Sequence, residues 1–379
     1  MDWDYPKIKL MDPSLDEMTI NSALIALRRN NFLNGPEVKE FERDFAEYVG
    51  SKFSVSTNSG TSALIISLLS IGIKKDDLVV VPSASFIATA NAVLMAGAKP
   101  IFADIKESDY TIDPSSVESL LNEYGGEIKA IMPVHLYGHP ADLKKLKKLS
   151  REYQVYLLDD ACQAHGAEYY GQMIGSGTVA SSFSFYPSKN MTVGGDGGMI
   201  TTNSEEIYEI ANSVKNSGRA TNSHYEHIRF GFTARLSSVL AAIGKMQLKL
   251  LPERVEIRRR NAKIYLDELN NIEGILLPSK DSSNVKSAWH QFVITLKERD
   301  NLSLYLNKNG IETGIHYPIP IHKQPIYLAD SLKLKQKLPI TEKWANNVLS
   351  IPVHHNLKEE EVLFISSKIK EFYKISGVF

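Results

Sequence analysis

The amino-acid sequence predicts an α/β protein: a large domain with a mostly parallel central sheet flanked by helices, followed by a smaller C-terminal α+β domain. Three observations lead there. Short apolar runs rich in β-branched residues recur between helical stretches, the order that builds strand–helix–strand units. Those runs are continuous rather than alternating, as in strands buried on both faces of a parallel sheet. The alternation then stops after about residue 237, where a long helical stretch and a sparser set of strands begin.

The series opens with "FSVST" (Phe53–Thr57), followed by Ser59, Gly60 and Thr61 and by an apolar run from Ala63 that reads as a helix. "DLVVVP" (Asp77–Pro82) precedes a second candidate helix, "SFIATANAVLMAG". "KPIFADI", "KAIMPVHLYG" and "QVYLLDD" continue the strands, and "SSFSF" adds one that contains Ser184. "KKLKKL" (Lys144–Leu149) reads as a solvated helix face, with Leu143, Leu146 and Leu149 turned inward. From residue 237, "SSVLAAIGKMQLKLLPERVEIRRRNAKIYLDEL" reads as one helical region that Pro252 should kink or break. "AWHQFVITL" and "GIETGIHYP" read as strands of the second domain. The last segment is an amphipathic helix with Val362, Ile365, Ile369 and Phe372 as its apolar stripe. Glu359 to Glu361 lie at its start and Lys368, Lys370 and Lys374 near its end, as the helix dipole prefers. These readings place the large domain at 1–250 and the small one at 251–379.

Composition narrows the function classes. A chain of 379 residues is long enough for two or three domains at roughly 100–200 residues each. A net charge of −1 carries no basic field of the kind that attracts nucleic acid. The single cysteine, Cys162, can form no internal disulfide and is expected to point into the core. The N-terminal "MDWDYPKIKL" lacks the apolar region of a signal peptide, and the longest apolar run, Ala63 to Ile73, is too short to span a membrane. A soluble cytoplasmic protein with no membrane or nucleic-acid partner is expected. His224 with His227, and His354 with His355, lack the acid or cysteine neighbours of a metal site, so no metal is expected.

Three strand ends carry chemistry, and ligands in open α/β sheets bind beyond the carboxyl ends of strands. "NSGTSA" (Asn58–Ala63) can form an anion site from free N–H groups, hydroxyls and a helix dipole, or it can be an ordinary turn and N-cap. In "LLDDACQAHG", Asp160 and Gln163 can aim at one ligand, or Asp160 can cap the next turn. In "FSFYPSKNMTVGGDGGMI", Lys189 stands between aromatics and glycines. It is either a loop lysine reaching solvent or an amine poised for Schiff-base chemistry, with the glycines allowing backbone to approach a ligand. A phosphate cradle, a buried acid and a poised lysine together match what pyridoxal 5′-phosphate requires. "GQMIGSG" (Gly171–Gly177) lacks the spacing of a dinucleotide fingerprint.

The motifs "NGPEVKEFE", "NSGTSAL", "PSASFIATANAVLMAGAKPIFADI", "HLYG", "DDACQAHGA", "FSFYPSKN", "GDGGMI", "GFTARLSSVLAAIG", "HYPIP" and "LSIPVH" occur in that order from about Asn34 to the last helix. On them the chain resembles the pyridoxal-phosphate-dependent sugar aminotransferases of the DegT/StrS type, which have the fold type I architecture of aspartate aminotransferase. The resemblance implies that Lys189 carries the cofactor as an internal aldimine and shuttles the proton. It gives Asp160 the pyridine nitrogen, Gln163 the ring hydroxyl, Phe86 the ring face, and Gly60, Thr61 and Ser184 the phosphate. It implies a homodimer whose "GFTARL" segment reaches into the neighbouring site. It gives Thr233 a contact to the phosphate from the neighbouring subunit, where many members have asparagine and threonine keeps a hydroxyl donor of shorter reach, while Arg235 matches the motif. The implied substrate is a nucleotide-linked keto-sugar, aminated at carbon 3 rather than carbon 4, with glutamate as donor, in amino-sugar biosynthesis serving a polysaccharide or an antibiotic. His316, Tyr317, His322 and Lys323 are candidate substrate contacts. The rival readings are a dehydratase or lyase on the same scaffold, whose members have histidine in place of the lysine, and a non-catalytic cofactor-binding regulator.

Overall fold

The computed structural model describes residues 8–221, 223, 225–328 and 337–375. Its centre is a seven-stranded sheet in the order Phe53–Thr57, Gly198–Thr202, Ala180–Ser184, Tyr156–Asp160, Ile128–Ile131, Leu78–Pro82, Lys99–Ala103. Gly198–Thr202 is antiparallel to both its neighbours, and the remaining pairs are parallel. The expected mixed α/β architecture is therefore present, and each apolar run of the first half forms its strand. Three of the strands, Leu78–Pro82, Ala180–Ser184 and Gly198–Thr202, are buried at every residue, as continuous apolar runs require when both faces are covered.

Helices cover both faces. Gly60–Ser70, Ala88–Met95 and Glu205–Val214 build one core with Val79, Val81, Phe102 and Ile200. On the other face, Pro36–Val49 and the first half of Ser238–Glu268 enclose Phe183, Phe185 and Met199. Pro114–Tyr124 and Leu143–Glu152 complete that layer, with Leu143, Leu146 and Leu149 buried.

Beyond this sheet, Phe292–Leu296 pairs antiparallel with Val348–Ile351 and with Ile275–Leu276. Arg299–Lys308 and Glu359–Ile375 pack there, and Val362, Ile365 and Ile369 are fully buried. This second core is built from residues 262 onward, with Ile8 packed against it.

Two expectations fail for physical reasons. Pro252 does not break the helical region: Ser238–Glu268 is one 31-residue helix. An interior proline costs about 3 kcal/mol, but Leu251 just before it and Val255 just after it are anchored in one core, and Ala262 and Tyr265 further along in the next. The helix thus crosses the boundary drawn at residue 250. "GIETGIHYP" is not a strand either: only isolated bridges from Ile311 to Ile8 and from Gly314 to Ser350 form. Gly310, at φ +78°, and the prolines at 318 and 320 leave too short a run for a ladder. "GQMIGSG" turns out to hold a hairpin, with Tyr170 and Gly171 at φ 50° and 74° between paired Glu168–Tyr169 and Gln172–Met173.

Candidate active site

The strand ends predicted to carry chemistry converge on one cavity of about 420 Å³. Gly60, Thr61, Phe86, Asp160, Gln163, Ser184, Lys189 and Tyr317 all line it. The parallel sheet causes this: strands ending at Thr57, Pro82, Asp160 and Ser184 deliver the residues that follow them to the same edge.

One end of the cavity is the start of the Gly60–Ser70 helix. Ser59 is its N-cap, with Oγ accepting from the Ser62 N–H at 3.1 Å. The N-cap reading and the anion-site reading are therefore compatible: Ser59 satisfies Ser62, while Gly60 and Thr61 keep the first N–H groups of the helix, which have no partner inside it. The fit here is close. A Cβ on Gly60 would lie 2.6 Å from Ser184 Cβ and 3.1 Å from Cys162 Sγ. One glycine of "GDGG" acts differently from expectation. A Cβ on Gly198 would lie 2.4 Å from the Ser59 carbonyl oxygen, so this glycine admits the protein's own loop rather than a ligand.

Asp160 is 3 % exposed. Its Oδ2 accepts from Thr89 Oγ1 at 2.7 Å, and its Oδ1 from the Cys162 N–H at 3.1 Å. The turn-capping role and the cavity-facing role coexist. Among the described residues no salt bridge to this carboxylate forms; Lys189 stands near enough to attract it, and a bound ligand would supply the direct partner that burial calls for. Gln163 is also oriented: its Oε1 accepts from the Tyr137 N–H at 2.7 Å, and its Nε2 points to the Tyr317 hydroxyl at 3.4 Å.

Lys189 stands half-buried in the wall. Burial lowers its pKa, opposed by the nearby Cys162 and Asp160, so more of the amine is neutral and nucleophilic than on a surface. Cys162 departs from expectation. Its side chain touches the core but also lines the cavity, because the turn closed on Asp160 carries it to the wall. Burial, then Asp160, push its pKa well up, so it remains a thiol. His165 packs on Phe183 and Phe185, with burial and then Lys189 lowering its pKa to about 3, and it stays neutral.

Of the candidate substrate contacts, only Tyr317 reaches the cavity, its ring 5.8 Å from that of Phe86. His316 bonds Ser350 Oγ at 2.9 Å. His322 is buried, held to Ser83 Oγ at 2.6 Å and to Glu342, and Lys323 pairs with Glu342 at 3.1 Å. Thr233 is exposed and bridged to Asn216, outside this cavity, and Arg235 bonds Asn216 Oδ1 at 3.3 Å. His224 lies outside the described residues. Among the described residues no group of three or more His, Cys, Asp or Glu side chains could hold a metal ion. No described helix is long and apolar enough to cross a membrane.

Sequence reasoning missed Ser85 and Thr89, which stand behind Asp160, and the Tyr137 N–H behind Gln163. Ser85 and Thr89 carried only a weak signal: Thr89 opens the Ala88–Met95 helix, while Ser85 lies in the turn before it. Tyr137, at φ +59°, carried none.

Comparison with known proteins agrees with this geometry. The family model described as the DegT/DnrJ/EryC1/StrS aminotransferase family matches residues 13–370. A Geobacillus stearothermophilus protein named pleiotropic regulatory protein is 36% identical over 92% of each chain. The dTDP-3-amino-3,4,6-trideoxy-alpha-D-glucose transaminase of Streptomyces venezuelae is 36% identical over 91% of this chain and 89% of its own. The crystal structure of DesV from S. venezuelae superposes with a TM-score of 0.93 at 34% identity, covering 97% of this chain and 99% of that one.

Proposed function

The chain belongs to the DegT/DnrJ/EryC1/StrS aminotransferase family, and we propose that it moves an amino group from glutamate to carbon 3 of a nucleotide-linked keto-sugar, using pyridoxal 5′-phosphate held at Lys189. It is an enzyme of a family that depends on this cofactor. One observation carries the reading: a lysine of lowered pKa, a buried carboxylate without a salt bridge and a helix N-terminus with no room for a Cβ surround a single cavity. Each is what one part of the cofactor needs, so the residues fit it.

When bound, pyridoxal 5′-phosphate supplies an aldehyde for the amine and a ring that accepts the electron pair left when the donor's α-proton departs. The Lys189 Nζ holds the cofactor covalently, and once displaced it takes that proton and returns it as general base and acid. Asp160 holds a proton on the ring nitrogen. Gln163 offers Nε2 to the ring hydroxyl, since its Oε1 is occupied by Tyr137. Phe86 covers a ring face. The N–H groups of Gly60 and Thr61, with the Ser184 hydroxyl, bind the phosphate. Lys189 in the cavity wall speaks against a lyase reading that needs histidine there.

Carbon 3 is supported by the 3-amino product in the S. venezuelae relative's name, and glutamate as donor by the family resemblance alone. A homodimer is supported by Tyr225 and Phe230, 93% and 82% exposed just before Thr233, which a second copy would cover. A cytoplasmic setting is supported by the free thiol of Cys162. A division near residue 251 is supported by the second core beginning at residue 262. The test is incubation with glutamate and a panel of nucleotide-linked 3-keto and 4-keto sugars, with mass spectrometry of products. Amination of 4-keto sugars alone would overturn carbon 3, and no amination at all would overturn the activity.

A further inference from the structure

We propose that Ser85 and Thr89 form a two-hydroxyl relay that aligns Asp160 toward the cofactor ring, making Thr89 a positioning residue for amino transfer. The proposal rests on the reading of the cavity as a cofactor site.

Ser85 Oγ lies 2.8 Å from Thr89 Oγ1, and Thr89 Oγ1 lies 2.7 Å from Asp160 Oδ2. An ionised carboxylate only accepts, so the single Thr89 proton points to Asp160. The Ser85–Thr89 bond must then have Ser85 as donor. The two dipoles run head to tail and end on the carboxylate, which strengthens both bonds in an interior where water does not compete. All three residues are buried, at 3 %, 1 % and 3 % exposure. The Cys162 N–H takes the other oxygen, so both oxygens of the carboxylate are held.

This is not the usual business of a threonine near a helix start. Such a hydroxyl ordinarily bonds a carbonyl of its own helix or the preceding turn. Thr89 instead reaches from the Ala88–Met95 helix, beyond the strand ending at Pro82, to the strand ending at Asp160, with Ile128–Ile131 lying between those two strands. The bond therefore serves the carboxylate rather than the helix. The other ionisable groups that face Asp160 are Cys162, Lys189 and Tyr317. Burial holds Cys162 and Tyr317 protonated, so neither supplies a competing charge.

The test compares Thr89→Val, Thr89→Ser and Ser85→Ala with the parent full-length protein. Two readouts are taken: affinity of the cofactor-free protein for pyridoxal 5′-phosphate, and the pH midpoint of the visible absorption of the bound cofactor. Losing a hydrogen bond to a charged group in Thr89→Val should weaken binding about tenfold and raise the midpoint by about one pH unit. The direction follows because a ring that holds its proton less firmly draws less electron density from the link at Lys189. Thr89→Ser should restore both values, and Ser85→Ala should move both the same way by less. Thr89→Val within twofold of the parent on both readouts, or Thr89→Ser as impaired as Thr89→Val, would overturn the relay. Should Thr89→Val fail to fold, Ser85→Ala decides: unchanged values overturn the proposal, a shift in the stated direction sustains it. A parent protein that neither binds nor colours the cofactor would overturn the site reading itself, an outcome distinct from the others.

Discussion

Replacing Gly60 by alanine sets two effects of opposite sign against each other. In a helix, glycine to alanine gains up to about 1 kcal/mol. Here the added methyl would stand 2.6 Å from Ser184 Cβ and 3.1 Å from Cys162 Sγ. Carbon atoms in contact prefer about 3.5–4.0 Å, so the helix and the strand must part by about 1 Å. A side-chain rotation cannot relieve this, because the Cβ of Ser184 is fixed to a central strand whose register pairs Ser184 with Gly198. Overpacking of this kind costs about 1–3 kcal/mol and outweighs the propensity gain. The expected net loss is about 1 kcal/mol of stability, read by urea unfolding of the cofactor-free protein. The second consequence concerns binding. Helix start and Ser184 hydroxyl can no longer close on one phosphate, and one lost bond to a charged group, about 1.5–3 kcal/mol, is about a 10- to 100-fold weaker affinity for pyridoxal 5′-phosphate. A Gly60→Ala protein as stable as its parent and binding as tightly would refute the packing argument and the phosphate assignment together.

Lys189 gives a pH prediction. Burial lowers its pKa in the folded state, so from that value up to about 10.4 the unfolded chain binds more protons. Stability of the cofactor-free protein should therefore rise with pH through that window, and Lys189→Met should remove the slope; parallel urea-unfolding profiles against pH would contradict the burial of the amine. Asp160→Ala should cut turnover about 100-fold or more while cofactor remains attached through Lys189 and the phosphate cradle, and near-full turnover with cofactor bound would remove Asp160 from the mechanism.

The strands of the large sheet were legible because burial on both faces writes itself as continuous apolar runs, from "VVVP" to "YLLD". The three reactive strand ends were legible for a related reason. A lysine, an aspartate and a Ser-Gly-Thr step are out of place at the ends of such runs unless something pays for them. Pro252 was misread because propensity is local while its helix is held by two cores that are remote in sequence. His322 was open between surface and substrate, yet its ring is fixed by Ser83, 239 positions away. No window of sequence contains that pair.

The same distinction separates what the site shows by residue type from what it needs by geometry. Asp160 announces itself, but the groups that fix its two oxygens are a hydroxyl 71 residues earlier and a backbone N–H two residues later. Gln163 announces itself, but which end of its amide faces the cavity is decided by the N–H of Tyr137, whose left-handed backbone (φ +59°) no side-chain identity reveals. A residue that carries chemistry is chosen for its functional group and so stands out against its neighbours. A residue that only orients such a group needs a small donor in the right place, and serine, threonine or a peptide N–H serves equally well. Orientation is where the sheet matters most. Because the strand ends at Pro82, Asp160 and Ser184 share one edge, donors from remote segments meet at a single carboxylate and a single amide, and substitutions at unremarkable positions such as 85 and 89 should be felt at the ring.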